Sequence, residues 1–383
     1  MKKNSLSDFS VLVSDAPSRK GFDVYNIISK KYKYKTLIAS DKDLKRLSFV
    51  YFKKVYKLRT SNYKIFENDL LLIKSQISSD IVYIPVSEKV TILFYEFISK
   101  NSNKGFRFVL PNYKKFQISR NKIEFQKFCV ENSINVPNSY ELNFLIKNNI
   151  FDKSLIVKPN IGAGSVGIIS VKNREELLGL KSLEINKYLI QDKIKNPQVY
   201  GVFLLSKNGK LIKSFSHKRI RTFPSSGGVS VYSASELNYE IINISKSIVQ
   251  KLEWSGLAMI EFMYDDETSS WKVIELNPRL WGSILLSPFS NVNLLKDYIE
   301  ISLGKLNTQK AEKFRSTYIR WFFPYELISF ISGKISFKDL INLNLKNTCY
   351  VNFTYSNIFT ALTYQIYFIF NLSSIVRFIK KIR

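Results

Sequence analysis

Apolar positions fall into short runs separated by longer mixed stretches over the first third of the chain. Residues 9–15 (FSVLVSD) read as a buried strand ending at Asp15, followed by a turn and helix in APSRKGFDVYNIISKKY. Residues 35–40 (KTLIAS) read as a second strand. DIVYIPVSEKVTILFYEFISKN reads as a strand ending at Pro85 and then a helix, and residues 105–112 (GFRFVLPN) as a strand that stops at a proline. Strands that alternate with helical patterns predict a mostly parallel sheet in an α/β unit, placed here at residues 1–115.

The middle of the chain has a different rhythm. Residues 119–140 predict a helix, with Ile123, Phe125, Phe128 and Cys129 apolar, then a loop ending at Pro137. Residues 154–173 read as strand, glycine loop, strand; REELLGL as a short helix; residues 188–194 as a strand. Residues 198–223 alternate through an Asn208-Gly209 turn, the mark of an antiparallel hairpin. A helix follows, then two strands joined by the polar turn DDETSS. From about residue 305 the character changes. Residues 347–376 hold no charge, residues 358–372 are strongly apolar, and Arg377, Lys380, Lys381 and Arg383 follow. A membrane-spanning helix needs about 20 predominantly apolar residues, and Thr360, Thr363, Gln365 and Asn371 dilute this one. Three readings stay open: a helix packed on its own protein, an interfacial membrane helix with a basic anchor, and a true span.

Composition narrows the function classes. At 383 residues the chain exceeds the size of one core and predicts two or three domains. Its 45% apolar and 14% aromatic content excludes a disordered protein. The net charge of +27 would suit a polyanionic partner. The excess is mostly Lys, however, and it is spread rather than packed into a tract, which matches a general compositional bias. No nucleic-acid module is recognisable, so no nucleic-acid partner is expected. Two distant cysteines, Cys129 and Cys349, match no metal spacing and fit a reducing compartment. One histidine, His217, leaves little material for a triad or a His-based metal site. The N-terminal apolar stretch is too short for a signal peptide. The expected location is cytoplasmic, with the inner membrane face as an option for the apolar tail.

Candidate chemistry concentrates in three stretches. In VKPNIGAGSVGI, Lys158 ends an apolar strand and Gly162, Gly164 and Gly167 follow in a loop with Ser165. Glycines let backbone N–H groups approach phosphate oxygens, although for such a turn taken alone a plain hairpin is the favoured reading. No GK[ST] follows, so this is not a Walker loop. Glu261 and Glu275 lie on two strands joined by a short turn, so antiparallel pairing brings them together. In IELNPR, Glu275, Asn277 and Arg279 alternate and share one face. Paired carboxylates with a neutral oxygen are a hard-oxygen set of the kind that holds Mg²⁺ beside phosphates. In SHKRIRTFPSSGGVS, His217, Arg219 and Arg221 alternate. Arg grips phosphate or carboxylate bidentately, while an exposed basic edge strand would have the same sequence.

In this order, over roughly residues 110–290, these parts resemble the ATP-grasp superfamily. The resemblance implies an α/β fold: an N-terminal parallel α/β domain (1–115), a small α+β subdomain with the glycine loop (116–195), and an α+β subdomain with the metal site (196–304). A helical, apolar and basic extension (305–383) would follow. It also implies ATP and Mg²⁺ (or Mn²⁺) as cofactors. Lys122 and Lys158 would hold nucleotide phosphates under the loop of Gly162, Gly164, Ser165 and Gly167. Backbone groups around Lys193 and Ile194 would read adenine. Gln191 and Gln198 stand where the family usually has Glu. Glu261, Glu275 and Asn277 match the metal ligands, and Arg279, with Lys158 and Arg219, the catalytic cations. The implied reaction activates a small-molecule carboxylate as an acyl phosphate and joins it to an amine. SHKRIRTFPSSGGVSVYS and IELNPRLWGS are most similar to the bacterial carboxylate–amine ligase branch, which includes proteins linked to cell-surface polysaccharide synthesis. The oligomeric state stays open, a homodimer being one option.

Overall fold

The computed structural model describes residues 9–15, 18–41, 55–151, 153–162, 164, 166–223, 228–305, 313–341, 347–356 and 358–370. They build three sheets. The first is parallel and five-stranded in the order β3-β2-β1-β4-β5, from β1 (Phe9–Val13), β2 (Thr36–Ser40), β3 (Val55–Lys57), β4 (Asp80–Ile84) and β5 (Phe106–Arg107). Helices α1 (Arg19–Asn26), α2 (Tyr63–Ser75) and α3 (Glu88–Asn101) lie between its strands. Alternation along β1 feeds two cores. Val11 and Val13 join a cluster with Trp281 and Leu285, while Leu12 joins Phe94 and Phe106 on the other face. A strand buried on both faces reads as a continuous apolar run, which is how FSVLV appears.

The helix expected within 119–140 forms over Lys122–Glu131, carrying Ile123, Phe125, Phe128 and Cys129, and a second helix precedes it. Helices α4 (Tyr113–Arg120) and α5 (Lys122–Glu131) meet at Asn121, whose side chain accepts from the Glu124 N–H at 3.0 Å and so starts a new helix. The strand expected at 105–112 is only two residues long. After β6 (Ser139–Tyr140) and α6 (Leu142–Lys147), the second sheet completes with β7 (Leu155–Pro159), β8 (Ile169–Val171), the helix α7 (Arg174–Gly179) and β9 (Tyr188–Asp192). Its order is β6-β9-β7-β8, all antiparallel.

The third sheet holds β10 (Gln198–Lys207), β11 (Lys210–Phe223), β12 (Val229–Glu236), β13 (Gly256–Asp265) and β14 (Ser270–Asn277). Helix α8 (Tyr239–Lys251) joins β12 to β13, and the turns expected at Asn208-Gly209 and in DDETSS connect their hairpins. The sheet runs β14-β13-β10-β11-β12-β15-β16. Its last two strands, β15 (Tyr318–Arg320) and β16 (Thr348–Tyr350), come from the segment expected to be a helical extension. That segment is therefore partly built into the sheet, and Cys349, Val351 and Asn352 are buried there. Helices α9 (Leu286–Phe289) and α10 (Leu294–Ser302) follow β14, and α11 (Leu327–Ile331), α12 (Phe337–Ile341) and α13 (Ile358–Phe370) belong to the C-terminal part. No described helix is long and apolar enough to cross a membrane.

The first and third sheets share the Trp281 core, and polar bonds cross the same junction. The Leu280 N–H donates to Pro85 O at 3.1 Å, and the Tyr298 hydroxyl donates to Tyr83 O at 2.9 Å. The chain leaving β14 is thus tied to the C-terminal edge of β4, the edge where open α/β sheets bind ligands.

Candidate active site

Glu261 and Glu275 are direct antiparallel partners, and Met259 faces Asn277. A bulge after this pair breaks the register between Glu261 and Phe262, which leaves the two carboxylates opposed on one face. Two largely enclosed acids at this range repel unless a positive group lies between them. Here the Asn277 amide does: Nδ2 donates to Glu275 Oε1 at 2.9 Å and to Glu261 Oε1 at 3.4 Å. Cations complete the compensation. Arg219 Nη2 lies 2.8 Å from Glu261 Oε1, and Lys122 Nζ lies 3.4 Å from Glu275 Oε2. Arg279 Nη2 donates to Asn277 Oδ1 at 2.8 Å. The alternating stripe of Glu275, Asn277 and Arg279 therefore forms, and it draws in Lys122 from α5 and Arg219 from β11.

The two acids titrate in opposite directions. Burial pushes Glu261 above the usual carboxylate range, although Arg219 opposes it. Burial also pushes Glu275 up, but Lys122, the Asn277 amide and Lys158 outweigh it and hold the carboxyl below that range. Among the described residues, no group of three or more His, Cys, Asp or Glu could hold a metal. The donor set is instead two carboxylates and one amide oxygen, all hard and all on one hairpin, and this chemistry fits Mg²⁺. The amide hydrogens already mark the position between the acids where a positive charge is stabilised. Metal binding through Asn277 requires that its oxygen turn inward.

Lys158 sits on β7, nearly fully buried, and burial lowers its pKa while Glu275 raises it. Its ammonium donates to Gln191 Oε1 at 3.0 Å, and Gln191 Nε2 donates to Gln126 Oε1 at 2.5 Å. Gln126 in turn donates to Pro137 O at 2.8 Å. The Gln191 amide is thus engaged at both ends, between the Lys158 ammonium and the Gln126 amide oxygen. A neutral partner, unlike a Glu, brings no countercharge to Lys158.

The glycine loop joins β7 to β8, with Gly164 and Gly167 at φ +69° and +76°. Lys122 Nζ donates to Gly162 O at 3.0 Å, tying this loop to the acid pair. Ser165 and residues 224–227 (PSSG) lie outside the described residues. Lys193 and Ile194 lie between β9 and β10. The Lys193 N–H donates to Ser154 O at 2.9 Å, so that one backbone donor is used within the protein. Gln198 is exposed and accepts from Lys218 Nζ at 3.2 Å.

The basic alternation of β11 does not stay on one face. Register shifts around Ile220 turn the strand, so Arg219 reaches Glu261 while Arg221 pairs with the buried Glu326. His217 is buried and stacked on Phe203, with ring centroids 4.5 Å apart. Burial and the neighbouring Arg219 lower its pKa to about 3.

Three residues of this region carry no motif signal. Glu88, in the first turn of α3, accepts from Arg279 Nε at 3.1 Å and from Arg120 Nε at 3.4 Å. Lys20 and Arg19 come from the first turn of α1. The usable signal was positional: α1 and α3 both start at the C-terminal edge of the parallel sheet, where ligand sites gather.

Comparison with known proteins is consistent with this arrangement. Residues 119–283 match the model of the ATP-grasp domain. The carbamoyl phosphate synthase large chain of a Thermoanaerobacter species is 24% identical over 188 residues, which is 46% of this chain and 17% of that protein. The match thus spans about a sixth of the relative's length. The biotin carboxylase domain of the Hydrogenobacter thermophilus 2-oxoglutarate carboxylase superposes with a TM-score of 0.63 at 14% identity, covering 81% of this chain and 73% of that one. The N5-carboxyaminoimidazole synthetase of Staphylococcus aureus, complexed with ADP, gives 0.58 at 13% identity and 83% coverage of each chain. At these identities the likeness is one of fold.

Proposed function

We propose that this chain, which carries an ATP-grasp domain over residues 119–283, is an ATP- and Mg²⁺-dependent ligase that activates a small-molecule carboxylate and joins it to an amine. The observation that carries the reading is the stripe of Glu275, Asn277 and Arg279 with Glu261 opposite, bounded by Lys122, Lys158 and Arg219. Its structural relatives include a synthetase holding ADP and a carboxylase domain holding MgADP.

Glu261, Glu275 and Asn277 would hold Mg²⁺, whose charge would offset that of the ATP phosphates. Lys122 and Lys158 bind phosphate oxygens, and Gln191 keeps the Lys158 ammonium aimed without neutralising it. Arg219 and Arg279 stand at the two ends of the acid pair, where they stabilise the transferring phosphoryl group. The substrate carboxylate attacks the γ-phosphorus, giving an acyl phosphate and ADP, and the amine then displaces phosphate. The loop of Gly162, Gly164, Ser165 and Gly167 excludes water that would hydrolyse the intermediate.

The substrate belongs to cell-surface polysaccharide or peptide assembly at the inner membrane face. The support is the C-terminal surface: Ile331, Phe337, Ile341, Ile358 and Phe359 are all more than half exposed, and the sequence ends in Arg377, Lys380, Lys381 and Arg383. An exposed apolar surface in a segment whose sequence continues into basic residues suits an anionic bilayer surface. Removing residues 371–383 tests this while keeping the buried Cys349, Val351 and Asn352 in the chain, and unchanged binding to anionic vesicles would refute it.

The decisive assay is ADP release with Mg²⁺ over amino acids, uronic acids and nucleotide sugars as carboxylates, each with and without an amine. Carboxylate-dependent ADP release that Glu275→Ala abolishes is the expected result. A phosphorylated product without ligation would mark a kinase, and nucleotide binding without ADP release a binding protein.

A further inference from the structure

Ligation needs a proton acceptor, because an ammonium has no lone pair with which to attack an acyl phosphate. The carboxylates facing the stripe are already engaged. Glu261 is held by Arg219, Glu275 by Lys122 and Asn277, and Glu88 by Arg120 and Arg279. The single histidine, His217, is buried against Phe203 of β10.

Lys20 fills the gap by position. Its Nζ donates to Leu280 O at 3.3 Å, and Arg279 Nη1 donates to the same oxygen at 3.2 Å. One carbonyl therefore gathers an amine from the first sheet's edge and the guanidinium at the substrate end of the stripe. Ser18 fixes the turn that presents Lys20: its Oγ accepts from the Gly21 N–H at 3.2 Å and caps α1. Arg19 locks the partner loop. Its guanidinium lies 3.8 Å from the centre of the Trp321 ring, and a Cβ on Gly282 would fall 1.4 Å from its Nη2. Lys20 keeps partial access to solvent, so a ligand in the cleft can reach it.

We infer that Lys20 is the proton acceptor for the attacking amine, poised beside Arg279 at the junction of the first sheet and the β14 loop. This role rests on the ligase reading. The neutral Lys20 amine takes one proton from the incoming ammonium. The freed lone pair forms the C–N bond, and the C–O bond to phosphate breaks with its electron pair going to phosphate. Phosphate takes the second N–H proton, and Lys20 returns its own to solvent. Burial brings the Lys20 pKa down to about 7; Arg279 and Arg19 lower it too, while Asp15 and Glu88 oppose them. An ordinary lysine would be almost wholly protonated at neutral pH.

The test compares full-length wild type with Lys20→Met and Lys20→Arg, using the carboxylate found by the ADP-release screen. Each is offered the amine or hydroxylamine, which is already unprotonated at neutral pH and needs no acceptor. Ligation relative to hydroxamate formation is expected to fall at least about tenfold in both variants. The wild-type rate should rise with pH through an inflection near 7, and both variants should lack it. An unchanged ratio, or full rescue by Arg, which keeps the charge but cannot accept a proton, would overturn the role. A second arm needs no substrate: in trinitrobenzenesulfonate labelling at about pH 8, Lys20 should react faster than the surface lysines. Labelling at the surface rate would also overturn it. If wild type shows no carboxylate-dependent ADP release, the ligase reading itself fails, and this role with it. If release is intact but the ratio holds, only the role of Lys20 fails.

Discussion

Arg279 and Glu88 are 191 positions apart and share a 3.1 Å hydrogen bond between Nε and Oε1. The bond joins the end of the β13–β14 hairpin to the first turn of α3, so the parallel sheet helps to aim the arginine. Glu88→Gln keeps the shape and removes the charge that holds both Arg279 and Arg120. Turnover should fall about tenfold, because a reacting group loses part of its positioning. ATP affinity should change less than about threefold, since Arg279 keeps its bond to Asn277. Calorimetric ATP titration alongside steady-state rates separates the two effects.

Asn277→Asp converts the bridging amide into a third carboxylate. Without metal, the new carboxylate would face Glu261 and Glu275 with no N–H to offer, so the melting temperature in EDTA should drop by several degrees. Added Mg²⁺ should then raise the melting temperature by more than in wild type. An equal Mg²⁺ response in both proteins would mean that Asn277 does not face the metal.

Lys158→Met keeps the apolar stem and removes the ammonium. Gln191 Oε1 loses its donor, but the cost of burying a charge disappears as well, so stability should shift by less than about 2 kcal/mol. ATP affinity should weaken at least about tenfold, because the proposed phosphate contact is removed. Equilibrium denaturation and nucleotide titration check the two halves of this prediction.

Gly201→Ala probes the support behind Arg219. A Cβ there would lie 2.7 Å from His217 Cε1, and that ring stacks on Phe203, which stacks on Trp281 at 4.2 Å. The stack has no room to yield, so the substitution should destabilise by about 1–3 kcal/mol. Urea denaturation measures it.

Asp23 carries a pH signature. Its Oδ1 accepts from the Asn352 N–H at 3.0 Å, Oδ2 is buried without a hydrogen-bond partner, and burial pushes the pKa up to about 7. The folded pKa lies above the unfolded one. Stability is therefore highest below the unfolded value of 3.8, is lost as pH rises toward 7, and stays reduced above it. Asp23→Asn removes this dependence. It should stabilise the protein by about 1–3 kcal/mol at about pH 8 and give no such gain at about pH 4. Denaturation curves at the two pH values decide.

Much of the fold follows from short-range pattern. The run FSVLV, the Asn208-Gly209 turn and the spacing of Glu261 and Glu275 each encode a local backbone state, and strand pairing needs only those states in sequence. The helix expected within 119–140 forms over Lys122–Glu131, and its start is equally local, because Asn121 caps it. The placing of β15 and β16 could not be read this way. Three-residue strands carry almost no periodic signal, and they take their identity from an exposed edge of a sheet assembled elsewhere.

The site divides along the same line. The sequence alone determined the shared face of Glu275, Asn277 and Arg279, because alternation along a strand is a property of the backbone. It also brought Glu261 opposite, because a short turn leaves a hairpin little choice of register. Only the tertiary structure decided which charges meet that face. Arg219 entered while Arg221 was turned away by a bulge, Gln191 was spent on Lys158, and Glu88 and Lys20 arrived from another sheet. Such contacts depend on how two sheets pack across one core, and no spacing along the chain records that.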